Sequence, residues 1–393
     1  MIIKEISAKS VLDSRGDKTI LVSVRTDVGS FSASSPNGKS VGKHEKKSYK
    51  KSLSEDIKTL RKFSEYFSKE IIEKFDDLRR VEDIVDGHIG ANTLFALESV
   101  ILKAIAEQQK KEVWQLINSD AKNFPRLVGN CIGGGKHVSS NTNKKPDFQE
   151  FLIIPNLKSV EKSYKVNKKI KDDLKDILKT KDEKFKEKKN DEDAWITSLN
   201  EKKVLEILKE FGLPLGVDIA SSSFFSRKKY QYNNPMLKRT SEEQFAYLSN
   251  LIKNFDLFYV EDPFNEEDFE NFANLLKKFP DKLIVGDDLT VTNYKRLLKA
   301  IKMKSVNGII IKPNQIGSLI EVKNVVELAK KNNIKTIFSH RSGETNETIL
   351  ADLAFGFQAD FLKSGITGKE REVKMKRMIE IERNLNEKDK ENP

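Results

Sequence analysis

Two apolar patterns alternate along most of this chain. Short, wholly apolar runs stop abruptly at a polar residue, and the longer stretches between them carry apolar residues at helical spacing. The clearest pair is Gly308-Ile309-Ile310-Ile311, which stops at Lys312, and Ile334-Lys335-Thr336-Ile337-Phe338-Ser339, which stops at His340-Arg341-Ser342. Such runs predict strands buried on both faces, as in a parallel sheet with helices outside. Leu319 to Lys331 lies between them with helical spacing, so the unit reads strand–helix–strand. The same rhythm precedes it. Apolar runs end at Asp218, Glu261 and Asp287, with helical segments over Ser241 to Phe255 and Glu267 to Lys278. In α/β barrels ligands sit at the carboxyl ends of the strands, where these polar residues fall.

The first third of the chain reads differently. Residues 2 to 35 alternate as a β-meander, with strands over Lys18 to Thr26 and Ser30 to Ala33 joined by Asp27-Val28-Gly29. Residues 51 to 118 read as helices, the most apolar starting near Gly90. The pattern changes near Asn123-Phe124-Pro125. We therefore expect an α+β domain over 1–124, a barrel over 125–386 and a disordered tail over 387–393. Between residues 157 and 189 lysine dominates, while Ile170, Leu174, Ile177 and Leu178 share one helical face. That predicts an amphipathic helix whose lysines form a solvated face. Few aromatics are interleaved, which counts against base stacking.

Composition narrows the picture. A chain of 393 residues suits two domains, and 37% hydrophobic against 33% charged residues gives a sizeable core under a very polar surface. The formal net charge of +11 admits anionic partners. Because the lysines are scattered, nucleic acid is an unfavoured one. A single cysteine, Cys131, excludes an intrachain disulfide and fits a reducing, cytoplasmic setting. Met1 to Glu5 is not a leader, and no apolar run approaches the length of a membrane span.

Candidate chemistry sits at the strand ends. Three carboxylates at one barrel mouth repel one another, and a cation resolves that repulsion; hard oxygen ligands select Mg2+. Arg341 and Ser342 form a natural cradle for phosphate or carboxylate oxygens. The glycine-containing loop Ser35 to Glu45 lacks the spacing of a P-loop.

A family resemblance rests on several of these stretches: Val11-Leu12-Asp13-Ser14-Arg15-Gly16, Val217-Asp218-Ile219-Ala220-Ser221-Ser222, Val260-Glu261-Asp262-Pro263-Phe264, Asp287 to Asn293, Lys312-Pro313-Asn314-Gln315-Ile316-Gly317 and Ser339 to Thr345. Together they resemble the enolases over roughly residues 3 to 385. The resemblance implies a small α+β N-terminal domain followed by a modified (β/α)8 TIM-like barrel. It implies reversible dehydration of 2-phosphoglycerate to phosphoenolpyruvate, with two Mg2+ per site and a homodimer or larger homo-oligomer. By the same resemblance Lys312 is the base, and Glu192, assisted by Glu150, is the acid. Asp218, Glu261, Asp287 and Ser40 are the metal ligands. His137, Gln149, His340, Arg341, Ser342 and Lys363 contact substrate. The base has to be neutral near pH 7 although lysine titrates near about 10.4, and nearby metal cations are expected to lower it.

Three places depart from the family. Lys18 stands for a proline, and Ser223 for a glutamate. Asn190-Asp191-Glu192-Asp193-Ala194-Trp195 stands where the family has Gly-Asp-Glu-Gly-Gly-Phe. That last departure leaves one alternative, an enolase-like paralogue of altered substrate or weak activity, and the lysine-rich face leaves another, a non-catalytic RNA- or protein-binding homologue.

Overall fold

The computed structural model describes residues 2–39, 42–67, 70–138 and 144–391. Its first part is an antiparallel meander of β1 (Ile3–Leu12), β2 (Lys18–Thr26) and β3 (Ser30–Ser34). Alternation in β2 buries Ile20, Val22 and Val24 on one face. Helices α1 (Leu53–Phe67), α2 (Leu78–Val85), α3 (Ala91–Gln109) and α4 (Val113–Ile117) follow. Helix α3 is buried nearly all round because it lies between this sheet and the barrel, packing on β2, β3 and the turn after Lys312.

The second part begins with β4 (Arg126–Gly133) and β5 (Glu150–Ile153). Then come α5 (Val160–Lys181), β6 (Trp195–Ile196), α6 (Glu201–Lys209) and β7 (Leu215–Asp218). A small antiparallel sheet of β8 (Phe225–Ser226), β9 (Lys229–Asn233) and β10 (Met236–Arg239) interrupts the rhythm, a feature the apolar pattern did not signal. The repeat resumes with α7 (Ser241–Phe255), β11 (Tyr259–Glu261), α8 (Phe269–Lys278), β12 (Leu283–Gly286), α9 (Tyr294–Met303), β13 (Gly308–Ile311), α10 (Leu319–Lys331), β14 (Lys335–Ser339), α11 (Ile349–Gly356), β15 (Phe361–Lys363) and α12 (Lys369–Glu391).

Strands β4, β5, β7 and β11 to β15 form a ring, closed by the pairing of β15 with β4; β6 attaches at the end of β4. All neighbours are parallel except at β5, which runs antiparallel to both β4 and β7. This is the modification of the (β/α)8 plan. Val128, Leu152, Tyr259, Leu283, Val285, Ile310, Ile337 and Phe361 pack together in one cluster, drawn from every strand of the ring except β7. Their neighbours Ile309, Ile311, Val260 and Phe338 belong to the larger cluster shared with the helices, as alternation along a strand requires.

Helix α12 continues through Glu391, past residue 386 where the sequence reading places a tail. The added residues alternate Glu, Lys and Asp, a composition compatible with helix. No described helix is long and apolar enough to cross a membrane.

Candidate active site

Strand ends gather the polar residues at one mouth of the barrel. Asp218 ends β7, Glu261 ends β11 and Lys363 ends β15; Asp287 and Lys312 directly follow β12 and β13. Glu150 joins them for a different reason. It begins its strand, and because β5 is antiparallel, that beginning lies beside Asp218 in the ladder. His137, Gln149, Glu150, Glu192, Asp218, Lys312, His340, Arg341, Ser342 and Lys363 all line a single cavity. Glu261 and Asp287 flank it: Glu261 meets the Lys363 ammonium and Asp287 meets that of Lys312. Ser40 lies outside the described residues.

The N-terminal domain supplies one wall. Asn37 and Gly343 exchange backbone hydrogen bonds of 2.7 and 2.9 Å. A Cβ at Gly343 would come within 2.1 Å of Asp13 Oδ2, so any other residue would displace the Asp13 carboxylate. The Lys39 N–H and Arg15 Nη1 donate to Ser342 Oγ at 2.7 and 2.9 Å. Lys39 Nζ reaches Asp191 Oδ2 at 2.5 Å, tying this wall to the segment that carries Glu192.

Charge is unevenly balanced around the cavity. Lys363 Nζ lies 3.0 Å from Asp218 Oδ2, 2.8 Å from Glu261 Oε2 and 3.2 Å from Glu150 Oε2. Lys312 Nζ donates to Asp287 Oδ2, while Asp287 Oδ1 is buried without a hydrogen-bond partner. Burial pushes the Glu261 carboxyl up to about 8, with Asp218 adding repulsion. Burial alone would lower the Lys312 ammonium, but Asp287 outweighs it and holds Lys312 above the usual lysine value. Without metal charge beside it, then, Lys312 moves opposite to the direction needed of a base.

Glu150 and Glu192 form the second charged group. Their oxygens and a ring nitrogen of His137 lie within 4.8 Å of one another. Burial, then repulsion from Glu192, drives the Glu150 carboxyl well above the ordinary range. Glu192 is equally buried, but His137, the nearer of its two histidine neighbours, outweighs that burial and holds its carboxyl well below the ordinary range. Of the two, Glu150 is the one whose surroundings favour the protonated form. Asn130 Nδ2 donates to Glu192 Oε2 at 3.0 Å. Arg371 Nε donates to His340 Nδ1 at 3.2 Å, which leaves the proton of the neutral ring on Nε2, 3.7 Å from Glu192 Oε2.

The segment that departs from the family is well tied. Asn190 Oδ1 accepts from the backbone N–H of Glu192 at 3.0 Å and of Ala194 at 2.9 Å. Asp193, not Ala194, takes the left-handed conformation, with φ of 63°. A Cβ on Gly133 would lie 2.0 Å from Asn190 Nδ2, so the glycine leaves room for this turn. Glu192 is 3% exposed and faces the cavity.

Comparison with known proteins agrees with this geometry. The chain matches the family model of the enolase N-terminal domain over residues 3–117 and that of the enolase C-terminal TIM barrel domain over 121–392. It is 36% identical to the enolase of Methanosphaera stadtmanae, covering 98% of this chain and 97% of that protein. It is 37% identical to the enolase of Pyrobaculum aerophilum, covering 97% and 96%. The chain belongs to the enolase family. It is accordingly an enzyme of the hydro-lyase class.

The enolase family implies a divalent metal, and the residues present fit one. The donors are hard carboxylate oxygens, the acids outnumber the two lysines among them, and Asp287 Oδ1 has an unmet lone pair. The tightest acidic group among the described residues is Asp262, Asp287 and Asp288. Asp262 is a poor ligand, however, because its oxygens already accept the backbone N–H of Asp287 at 2.9 Å and of Asp288 at 2.8 Å. Asp218 and Glu261 are the better ligands, since the ammonium of Lys363, which both share, is a mobile cation that a metal ion can replace, whereas the backbone donors to Asp262 are fixed.

Several residues of this site were not singled out from the sequence. Glu45 holds Arg341 Nη2 at 3.0 Å, and Asn314 Oδ1 accepts from Arg341 Nη1 at 3.1 Å. Tyr259 OH donates to Glu261 Oε2 at 2.5 Å from two residues earlier on the same face of β11. That last contact was legible, since strand alternation puts both side chains inside the barrel. Arg371 reaches His340 only through the packing of α12, which no local pattern announces.

Proposed function

We propose that this member of the enolase family catalyses the reversible dehydration of 2-phosphoglycerate to phosphoenolpyruvate with Mg2+. One observation carries the reading: Lys312 and the Glu150–Glu192 pair line the same small cavity, with Lys312 after β13 and Glu150 on β5, four strands apart on opposite sides of the ring. A base and an acid are then available to the two adjacent carbons of one substrate. Arg341 and Ser342 hold the phosphate, and Lys363 turns from Asp218 and Glu261 to the substrate carboxylate. When bound by Asp218, Glu261 and Asp287, Mg2+ supplies the positive charge that stabilises the doubly negative carboxylate left by proton removal. Ser40, outside the described residues, is assigned to a second ion by resemblance alone.

Lys312 takes the α-proton as the neutral amine, which it becomes by giving its own proton to solvent once Asp287 no longer holds the ammonium. Loss of hydroxide then requires an acid. Glu150 supplies the proton, and Glu192, which accepts from Asn130 and lies 3.5 Å from His137 and 3.7 Å from His340, presents it to the leaving group. Neutral His340 keeps its Nε2–H toward Glu192. A homodimer and a cytosolic setting belong to the same reading; sedimentation of the purified protein tests the first.

The deciding experiment follows phosphoenolpyruvate absorbance with purified protein, with and without Mg2+, beside exchange of the substrate α-proton with deuterated solvent. Wild type is expected to do both. Glu192→Gln is expected to retain exchange and lose phosphoenolpyruvate formation. Exchange without product in the wild type would instead favour an enolase-like paralogue, since the segment around Glu192 is where this chain departs from the family.

A further inference from the structure

Helix α5 carries one lysine that solvent does not reach. The side chains of Lys168, Lys175 and Lys179 are 42%, 38% and 45% exposed, as expected of a solvated face, but that of Lys171 is 2% exposed. Its ammonium donates to Asp193 Oδ2 at 2.9 Å, to the Asp193 carbonyl oxygen and to Thr367 Oγ1. An ammonium has three protons, and all three find acceptors here. The Thr367 hydroxyl in turn donates to Asp193 Oδ2, and Lys189 reaches the same carboxylate at 3.1 Å. Trp195 Nε1 donates to the Lys171 carbonyl at 2.8 Å, joining helix and turn from the other side.

Asp193 follows Glu192 directly and holds a left-handed φ of 63°, a conformation that favours glycine. Asn190 ties this turn from within, and Lys171 adds a hold from outside it. We propose that Lys171 is a positioning residue for Glu192: it clamps both the side chain and the carbonyl of Asp193 and so fixes the direction in which the preceding residue projects. The clamp takes the place of the glycines that flank the acidic pair in the family, and a lysine is tolerated in this interior because every proton of its charge is matched. Thr367, in the link between β15 and α12, completes it. This inference rests on the reading of Glu192 as the acid of the second stage.

Wild type, Lys171→Met and Thr367→Val are compared in two assays: α-proton exchange with deuterated solvent, and phosphoenolpyruvate formation. A group misplaced by about 1 Å can lose about a hundredfold in rate, so Lys171→Met is expected to lower product formation by about tenfold or more and Thr367→Val by about threefold. Exchange is expected to stay within about twofold of wild type in both, because Lys312 is untouched. A purely structural lysine would lower both activities together, and that outcome overturns the proposal, as does unchanged product formation. If Lys171→Met fails to fold, the same split in the near-isosteric Thr367→Val variant decides. Failure of the wild type in both assays would overturn the proposed function rather than the clamp.

Discussion

Lys363→Met tests the charge balance of the site most directly. The side chain keeps its length and loses its ammonium. In the native protein that ammonium lies 2.8 to 3.2 Å from Glu261, Asp218 and Glu150. All of these groups are buried. Removing one partner of a buried ion pair costs about 3–5 kcal/mol, because the remaining charge has neither water nor counter-ion. For a barrel of this size each kcal/mol moves the melting temperature by about 3 °C, so metal-free Lys363→Met is expected to melt about 10 °C below wild type. The acids can recover part of this by taking up protons. Glu261 already titrates near 8 through burial and the repulsion of Asp218, so the deficit should be larger at pH 9 than at pH 6. Scanning calorimetry with a chelator, then with excess Mg2+, reads the effect. The ion should stabilise the variant more than the wild type, because no lysine competes for the same oxygens. Equal melting of the two metal-free proteins, or equal gains on adding Mg2+, would refute the argument that Lys363 and the metal answer the same excess of negative charge.

Asp218→Ala, Glu261→Ala and Asp287→Ala should each weaken Mg2+ binding in calorimetry by at least about tenfold, the loss seen when even an outer partner of a ligand is removed. Unchanged affinity in all three would place the ion elsewhere. Lys312→Ala should abolish α-proton exchange while leaving Mg2+ binding in place; exchange at the normal rate would name another base. Glu201 concerns stability away from the cavity: burial pushes its carboxyl up to about 7 from 4.5 although it accepts the Asp147 N–H at 2.7 Å. A folded-state pKa raised in this way gives stability that is present below pH 4.5 and lost as pH rises through about 7. Glu201→Gln keeps an acceptor for Asp147 and cannot ionise, so above pH 8 it should be more stable than wild type by up to about 3 kcal/mol. Parallel pH profiles of the two proteins in urea unfolding would contradict this.

What the sequence reveals depends on how local each signal is. A strand buried on both faces must be apolar throughout, so its end is marked by the first polar residue; Asp218, Glu261, Asp287 and Lys312 were all found this way. Helices α7 and α10 were bounded as observed, because each opens on an Asn-, Thr- or Ser-type cap, Thr240 and Ser318, that accepts from the backbone three residues on. Direction is not local. Nothing in Glu150-Phe151-Leu152-Ile153 says that the strand runs against its neighbours, and only that reversal brings Glu150 to the mouth from the start of its strand. The β8–β10 sheet escaped because its strands are two to five residues long and mostly polar.

The lysines show why composition misled where it did. Scattered lysine reads as surface, and for most of the described residues that holds. Lys171, Lys363 and Lys374 are each 2% exposed. A lysine is almost never buried without a partner, so each should mark an acid whose position matters. Lys363 sits on Asp218 and Glu261. Lys374 Nζ lies 2.8 Å from Glu344 Oε2, and Glu344 Oε1 accepts the backbone N–H of Arg341 at 2.9 Å. Lys171 holds Asp193, beside Glu192. Each of the three touches a segment that carries a candidate active-site residue: the proposed metal acids, the proposed phosphate cradle and the proposed acid of the second stage. Their burial follows from the charge of those segments. The loops turn inward to form the cavity, they bring carboxylates with them, and a long flexible cation is the side chain that can follow an acid into the interior and satisfy it there.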